Sequence, residues 1–181
     1  YAKVIKKPKS GIAKKAKTLR SISVILDHRM KIDKSHFKQM GASFDISAKN
    51  VRVLTYYPSS KEIPEEAVNS SYTSTDISSF GVMCPLLYDF CNFKSDVLIN
   101  FYDQNDISLK YVSAMTHYRY SVGLKNVDLE LNDLVIDVDP KNITLFIQES
   151  IKYLKIFFAQ NKWKKSRDMA LHSLPHSERM G

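Results

Sequence analysis

Short apolar runs alternate along the chain with segments whose apolar residues recur every three or four positions. The runs are rich in β-branched and aromatic residues and predict six strands, at residues 21–27, 50–58, 71–75, 96–102, 118–124 and 133–138. The periodic segments predict helices at residues 31–44, 84–93, 107–117 and 142–159, and Leu109, Val112 and Met115 are expected to face inward on the third. The last helix is the strongest, because its apolar positions keep a 3.6-residue period, and Asn142 is its expected N-cap.

This alternation predicts the fold class. Strands separated by helices imply right-handed crossovers, and therefore a single doubly wound, mainly parallel, Rossmann-like α/β sheet of about six strands. We expect the strand order 3-2-1-4-5-6, with a crevice between the first and fourth strands. The α/β domain spans residues 21–159, between a basic N-terminal arm at residues 1–20 and a basic C-terminal tail at residues 160–181.

Composition supports a folded protein rather than a disordered one. The 181 residues are 44% hydrophobic and 25% charged. No apolar run reaches the roughly 18–20 residues that span a bilayer, and the first residues lack the apolar core of a secretory signal. We therefore expect a cytoplasmic location. Cys84 and Cys91 are predicted to be buried free thiols, because seven residues along one helix place them beyond disulfide reach.

The net charge of +8 is concentrated at the two ends of the chain. Residues 1–20 hold eight Lys and Arg residues and no acid, residues 160–181 carry a net charge of +3, and residues 21–159 carry about −3. Such ends suit RNA, DNA or an anionic membrane surface, and Trp163 among cations suits nucleic acid or a membrane interface equally. The predicted contacts are Lys6, Lys7, Lys9, Lys14, Lys15, Lys17, Lys162, Trp163, Lys164, Lys165 and Arg167.

Candidate chemistry lies at the carboxyl ends of the strands, where doubly wound sheets bind ligands. The first strand ends in Asp27 and His28, and Asp103 and Asp106 follow the fourth. If those strands are neighbours, Asp27, Asp103 and His28 share the crevice, where carboxylates could hold Mg²⁺ or act as an acid/base pair. Acids at strand ends also cap the next helix, and we favour capping or turn formation for Asp103 and Asp106, with Asp106 or Ser108 as the N-cap of that helix.

Other signatures of chemistry are missing. The segments after the first and fourth strands contain no glycine, so we expect no nucleotide cofactor. The chain has no G-x-S-x-G, C-x-x-C or H-E-x-x-H motif, and Pro175 lies between His172 and His176, which argues against a helical metal pair there. Phe80 and Gly81 predict a turn before the next helix. We predict no cofactor and no metal.

Several segments together resemble a known family. "TDISSFG", "DVLINFYDQNDISLKYVSAM", "YSVGL", "DLVIDV" and "IQESIKYLKIF" resemble an uncharacterised bacterial family of unknown function, over roughly residues 20–157. The resemblance implies a cytoplasmic protein with a basic segment before an α/β body, and no activity. More distantly, residues 96–124 resemble a strand–loop–helix–strand unit of heptosyltransferase-type glycosyltransferases, which need two such domains where this chain has room for one.

The expected function is therefore binding rather than catalysis. We expect a non-catalytic α/β scaffold whose basic ends dock on a polyanionic assembly, with RNA or a ribonucleoprotein such as the ribosome favoured. One alternative is a small cytoplasmic enzyme or ligand-binding domain that uses Asp27, His28, Asp103 and Asp106. Another is a peripheral membrane protein, with aromatic anchors in "KIFFAQNKW".

Overall fold

A computed structural model describes residues 3–6, 18–127 and 129–172. Its strands and helices alternate as the sequence predicts. They are, in chain order, β1 Lys3–Lys6, β2 Ile22–Asp27, α1 Ser35–Ala42, β3 Val51–Tyr56, β4 Ser71–Tyr72, α2 Pro85–Asn92, β5 Ser95–Phe101, α3 Ile107–Met115, β6 Tyr118–Leu124, β7 Leu134–Asp137 and α4 Ile143–His172. Short 3₁₀ turns connect several of them.

All seven strands form one sheet in the order β1-β7-β6-β5-β2-β3-β4. Strands β2 to β7 are parallel, and β1 pairs antiparallel with β7, with Lys3 opposite Asp137 and Lys6 opposite Leu134. The six predicted strands therefore lie in the order 3-2-1-4-5-6, which confirms the doubly wound α/β fold and the crevice between β2 and β5. Strand β1 is an addition, since residues 3–6 were expected to belong to an extended arm.

Helices cover both faces of the sheet. On one face α1 packs beside α4, and the Phe101 ring of β5 lies between Phe37 of α1 and Phe146 of α4, at centroid distances of 5.7 and 4.9 Å. On the other face α2 packs beside α3, with Cys91 Sγ 3.9 Å from the carbonyl oxygen of Val112. Every residue of β2 is buried, as expected for a central strand covered on both faces.

The helix ends follow local hydrogen bonding. Asn142 Oδ1 accepts from the backbone N–H of Leu145 at 3.1 Å, which confirms Asn142 as the cap of α4. Gly41 stays within α1, where a Cβ would lie 2.5 Å from Cγ2 of Val51, so the missing side chain lets α1 approach β3 closely. Met115 was expected to face inward but is exposed, so that prediction is wrong.

Both charged ends of the chain attach at one edge of the sheet. Helix α4 starts near the carboxyl end of β5, at Phe146, and reaches the start of β6, where Phe157 stacks on Tyr120 at 4.3 Å. It therefore runs towards the edge where the parallel strands begin, which we call the amino edge, and residues 159–172 extend it by about 20 Å. Strand β1 ends at this edge, and β2 begins there.

Candidate functional site

The crevice at the carboxyl ends of β2 and β5 is organised around one guanidinium group. Asp27, the last residue of β2, is fully buried, and its carboxylate accepts hydrogen bonds from Nε of Arg29 at 2.9 Å and from the Arg29 backbone N–H at 3.0 Å. Nη2 of Arg29 lies 2.7 Å from Oδ2 of Asp27 and 3.4 Å from Oδ2 of Asp106. Arg29 thus ties the end of β2 to the start of α3.

Electrostatics keep this group charged. The pKa of Arg29 is raised, chiefly by its hydrogen bond to Asp27 and then by the negative charges of Asp27 and Asp106, although partial burial acts the other way. Asp106 also accepts the backbone N–H of Ser108 at 2.9 Å, as the N-cap of α3. Both carboxylates therefore accept hydrogen bonds from backbone N–H groups or from the guanidinium group. These contacts position the chain, and they differ from those of a free base.

Two tyrosines surround the ion pair. Burial raises the pKa of Tyr56, and the nearby Asp106 carboxylate adds to the effect. Tyr72 is fully buried, and burial raises its pKa well above the ordinary value for tyrosine. The Arg29 guanidinium lies 5.6 Å from the centroid of the Tyr56 ring, within cation–π range. Both phenols therefore stay protonated at neutral pH.

The residues predicted for this crevice separate into two groups. Asp27 and Asp106 meet on Arg29, and Asp106 caps α3 as predicted. His28 instead stacks on the ring of Tyr57, at 4.2 Å and 22° between planes, and Asp103 accepts from the side chain of its neighbour Gln104 at 3.0 Å. The expectation that Asp27, Asp103 and His28 form one cluster is therefore corrected: the partner of Asp27 across the crevice is Asp106.

Sequence reasoning missed the two residues that complete the cluster. Arg29 follows the strand-end acid Asp27 by two residues, a spacing that lets one turn pair them. Tyr56 ends β3 just before Pro58, so its place at the same edge could have been read from the strand order. Within the described residues, no three His, Cys, Asp or Glu side chains converge closely enough to hold a metal ion.

A second buried polar network connects β5, α3 and the segment before β7. Asn132 Oδ1 accepts from Asn100 Nδ2 at 2.9 Å, and Asn100 Oδ1 accepts from Ser113 Oγ at 2.9 Å. Ser113 Oγ also lies 2.9 Å from the Tyr102 hydroxyl. Asn132 packs directly over Gly123, where a Cβ would meet the Asn132 amide at 2.3 Å. These hydrogen bonds fix the position of α3 on the sheet, because a buried polar group is costly without a hydrogen-bond partner.

The two cysteines are free thiols, as predicted. Cys91 is buried and its burial raises the pKa of the thiol, which lowers its reactivity. Cys84 is only partly buried.

The predicted polyanion contacts lie on different parts of the chain. Lys6 belongs to β1, whose backbone pairs with β7, and Lys7, Lys9, Lys14, Lys15 and Lys17 lie outside the described residues. Lys162, Trp163, Lys164, Lys165 and Arg167 lie in the last turns of α4, beyond Phe158. Lys6 and the last turns of α4 lie at the amino edge, opposite the crevice that holds Asp27 and Arg29.

The carboxyl edge has the opposite charge balance. Among the described residues, its strand ends and the loops beside them hold ten acids against six cations, to which Lys3 at the start of β1, opposite Asp137, adds a seventh. The acids are Asp27, Asp33, Glu62, Glu65, Glu66, Asp76, Asp103, Asp106, Asp137 and Asp139, and the cations are Arg29, Lys31, Lys34, Lys61, Lys125 and Lys141. Charge is therefore separated along the strand direction.

In the described ranges, no helix combines the length and the apolar character that crossing a bilayer requires.

Comparison with known proteins gives one match. The model of a family described as Family of unknown function (DUF6913) matches residues 1–157. A search of curated proteins and a search of solved structures each found no match. The match agrees with the resemblance to a family of unknown function, and these comparisons show no similarity to glycosyltransferases.

Proposed function

The chain belongs to the DUF6913 family of unknown function, and from that starting point we propose that it is a non-catalytic scaffold that docks on a polyanion. The favoured partner is RNA or a ribonucleoprotein such as the ribosome. The basic segments at the two ends of the chain supply the phosphate contacts, and the α/β body holds them at one edge of the sheet.

The separation of charge carries this proposal. Eight cations with no acid stand in residues 1–20, ahead of a body with a net charge of about −3. Strand β1 ends at the amino edge with Lys6, β2 begins there, and α4 runs past the same edge to His172. On this proposal, the two basic segments, which are distant in sequence, act together on that side of the molecule.

The arrangement of the crevice favours binding over catalysis. Asp27 and Asp106, the best-placed candidate acids, hold Arg29, and Asp106 also caps α3. A general base needs a lone pair directed at a substrate proton, whereas these oxygens accept internal donors. Trp163 lies among four cations in "KWKKSR", a combination that suits stacking on an exposed base and also suits a membrane interface, so binding to RNA and binding to vesicles are measured side by side.

The proposal is tested by neutralising one basic segment while leaving β1 intact. We expect Lys7, Lys9, Lys14, Lys15 and Lys17, all changed to Gln, to weaken binding of single-stranded RNA by roughly tenfold or more, because each lost phosphate contact removes a favourable charge interaction. The matched control changes five exposed lysines elsewhere, Lys31, Lys38, Lys61, Lys125 and Lys141, to Gln, and so removes the same charge. Filter binding measures both variants.

The control separates local contacts from net charge. Equal losses in the two variants would show that only the overall charge matters, and unchanged retention of RNA by the first variant would contradict the proposal. Co-sedimentation with anionic but not neutral vesicles, without RNA binding, would instead support the membrane alternative.

A further inference from the structure

An apolar patch lies on the surface beside α3. It consists of Phe80, Val82, Ile107 and Met115, with exposed fractions of 95%, 68%, 83% and 44%. Large apolar side chains are common on protein surfaces one at a time, but a contiguous group of them marks an interaction surface. We name this group the α3 patch.

Hydrogen bonds join the two segments that carry the α3 patch. Ile77 and Met83 form an antiparallel bridge, and Gly81 N–H donates to Ser78 at 2.9 Å, so residues 77–83 make a hairpin whose tip carries Phe80 and Val82. The hydroxyl of Tyr111 donates to the carbonyl of Gly81 at 2.7 Å and fastens the tip to α3. Tyr111 is four residues from both Ile107 and Met115, so all three share one side of the helix.

The composition of α3 also indicates that its outer side is covered. Leu109, Val112 and Ser113 are buried against the sheet, and the only charged residue among the nine of the helix is Lys110. A surface helix normally sets charged residues opposite its buried side, whereas a helix that is apolar on both sides is typical of a buried position. The outer side of α3 therefore suits contact with protein better than contact with water.

We propose that a second copy of this chain covers the α3 patch, in a two-fold symmetric dimer. The patch is apolar, so it can face its own copy without opposing like charges, as an isologous contact requires. Covering four large side chains, each of the order of 100–200 Å², buries roughly 400–600 Å² per copy, which reaches the total of about 1,000 Å² that a specific interface needs.

The position of the basic segments is compatible with this dimer. Phe80, Val82 and Ile107 follow the carboxyl ends of β4 and β5, whereas Met115 lies near the amino edge, where β1 ends and β6 begins. A strand of six residues spans about 20 Å, more than the Debye length of about 8 Å in physiological salt. Repulsion between the two basic ends is therefore screened at the interface. The dimer does not depend on the proposed function.

Sedimentation velocity of the full chain, freed of nucleic acid, tests the dimer. We expect a dimer for the wild type and a monomer for Phe80→Asp/Ile107→Asp. Asp is compatible with both positions, because Phe80 is at an exposed tip and an acid in the first turn suits the helix dipole. The matched control is Val68→Asp/Ile156→Asp, which adds the same two charges at exposed apolar positions elsewhere and should remain a dimer.

The outcomes decide the proposal. A wild type that is monomeric at its highest soluble concentration, or a dimer that survives the double substitution at every dilution, would overturn it. Dissociation of the control as well would show a general effect of charge and would also overturn it. Circular dichroism checks that each variant is folded. If the double variant unfolds, Phe80→Ser takes its place, and an undiminished dimer in that variant counts against the α3 patch.

Discussion

At the scale of single residues, one buried carboxylate organises the carboxyl edge of the sheet. Asp27 accepts both the backbone N–H and the guanidinium of Arg29, and the same guanidinium reaches Asp106. A buried acid is costly unless donors satisfy it, and here one cation supplies most of them. Asp27 therefore acts through Arg29 to fix the end of β2 against the start of α3.

We expect Asp27→Asn to lower the free energy of unfolding by about 1.5–3 kcal/mol, because it replaces a charge-assisted contact with a neutral one inside the protein. Urea unfolding measures the loss. A double-mutant cycle with Arg29→Met should show that the two effects are not additive, since both remove the same contact. Fully additive losses would contradict the pairing.

Tyr120 gives the protein a pH-dependent stability on the alkaline side. Burial, with a smaller effect of the charge on Asp133, raises its pKa to about 12. The ordinary pKa of tyrosine is about 10. Between this pH and the raised pKa of Tyr120, the unfolded chain releases a proton that the native protein keeps, so the free energy of unfolding falls as pH rises.

We expect Tyr120→Phe to flatten this fall, because phenylalanine has no proton to lose and still stacks on Phe157. Urea unfolding of both proteins at several values between about pH 9 and 12 gives the two slopes. Burial also raises the pKa of Tyr72 and of Tyr56, and both contribute to the fall equally in wild type and variant, so the difference between the two slopes isolates Tyr120. Parallel slopes for wild type and variant would show that Tyr120 ionises alike in the native and unfolded states.

At the scale of elements, helix caps and close approaches set the geometry of the crevice. Helix α3 starts where Asp106 accepts the N–H of Ser108, and Gly123 lets Asn132 lie on β6 beside Asn100. The start of α3 therefore fixes both the Arg29 contact and the outer side of the helix that carries Ile107.

We expect Asp106→Ala to destabilise the protein by about 1–2 kcal/mol, through loss of the α3 cap, and Asp106→Asn to cost less than half as much, since asparagine caps equally well. Thermal or urea unfolding compares the two. If both substitutions cost the same, the charge facing Arg29 matters more than the cap, and the capping role assigned to Asp106 is wrong.

The sequence predicts elements better than contacts. The six parallel strands follow from apolar runs, and their order matches a common doubly wound arrangement, which the handedness of crossovers permits but does not determine. Strand β1 escaped prediction because two apolar residues between lysines form a run too short to detect, and only pairing with β7 orders them as a strand. Met115 was misplaced because α3 is apolar on both sides, so periodicity does not reveal which side is buried.

The crevice was located from the sequence, but its contacts were not. Strand order placed Asp27 and the acids after β5 at one edge. The choice of Asp106 over Asp103 as the partner depends on where the Arg29 side chain reaches, and no periodicity encodes that. Likewise, the Asn100–Asn132 pair joins residues 32 positions apart, and only the folded sheet brings them together.

At the scale of the whole molecule, the central feature is the separation of charge along the strands. Lys6 and the last turns of α4 lie at the amino edge, and the carboxyl edge carries an excess of acids among the described residues. Such a distribution orients the protein in the field of a polyanion, with the amino edge towards the phosphates and the acidic edge away from them. In the proposed dimer, the α3 patch leaves both amino edges available.

The most direct test is the salt dependence of RNA affinity. For single-stranded RNA, the logarithm of the association constant should fall linearly with the logarithm of salt concentration, by about 0.7 for each phosphate neutralised. We expect a slope steeper than about −2 for the wild type, and a slope flattened by about 0.7 for each engaged lysine when Lys7, Lys9, Lys14, Lys15 and Lys17 are changed to Gln. A slope near zero, or the same slope in both proteins, would contradict docking through the basic ends.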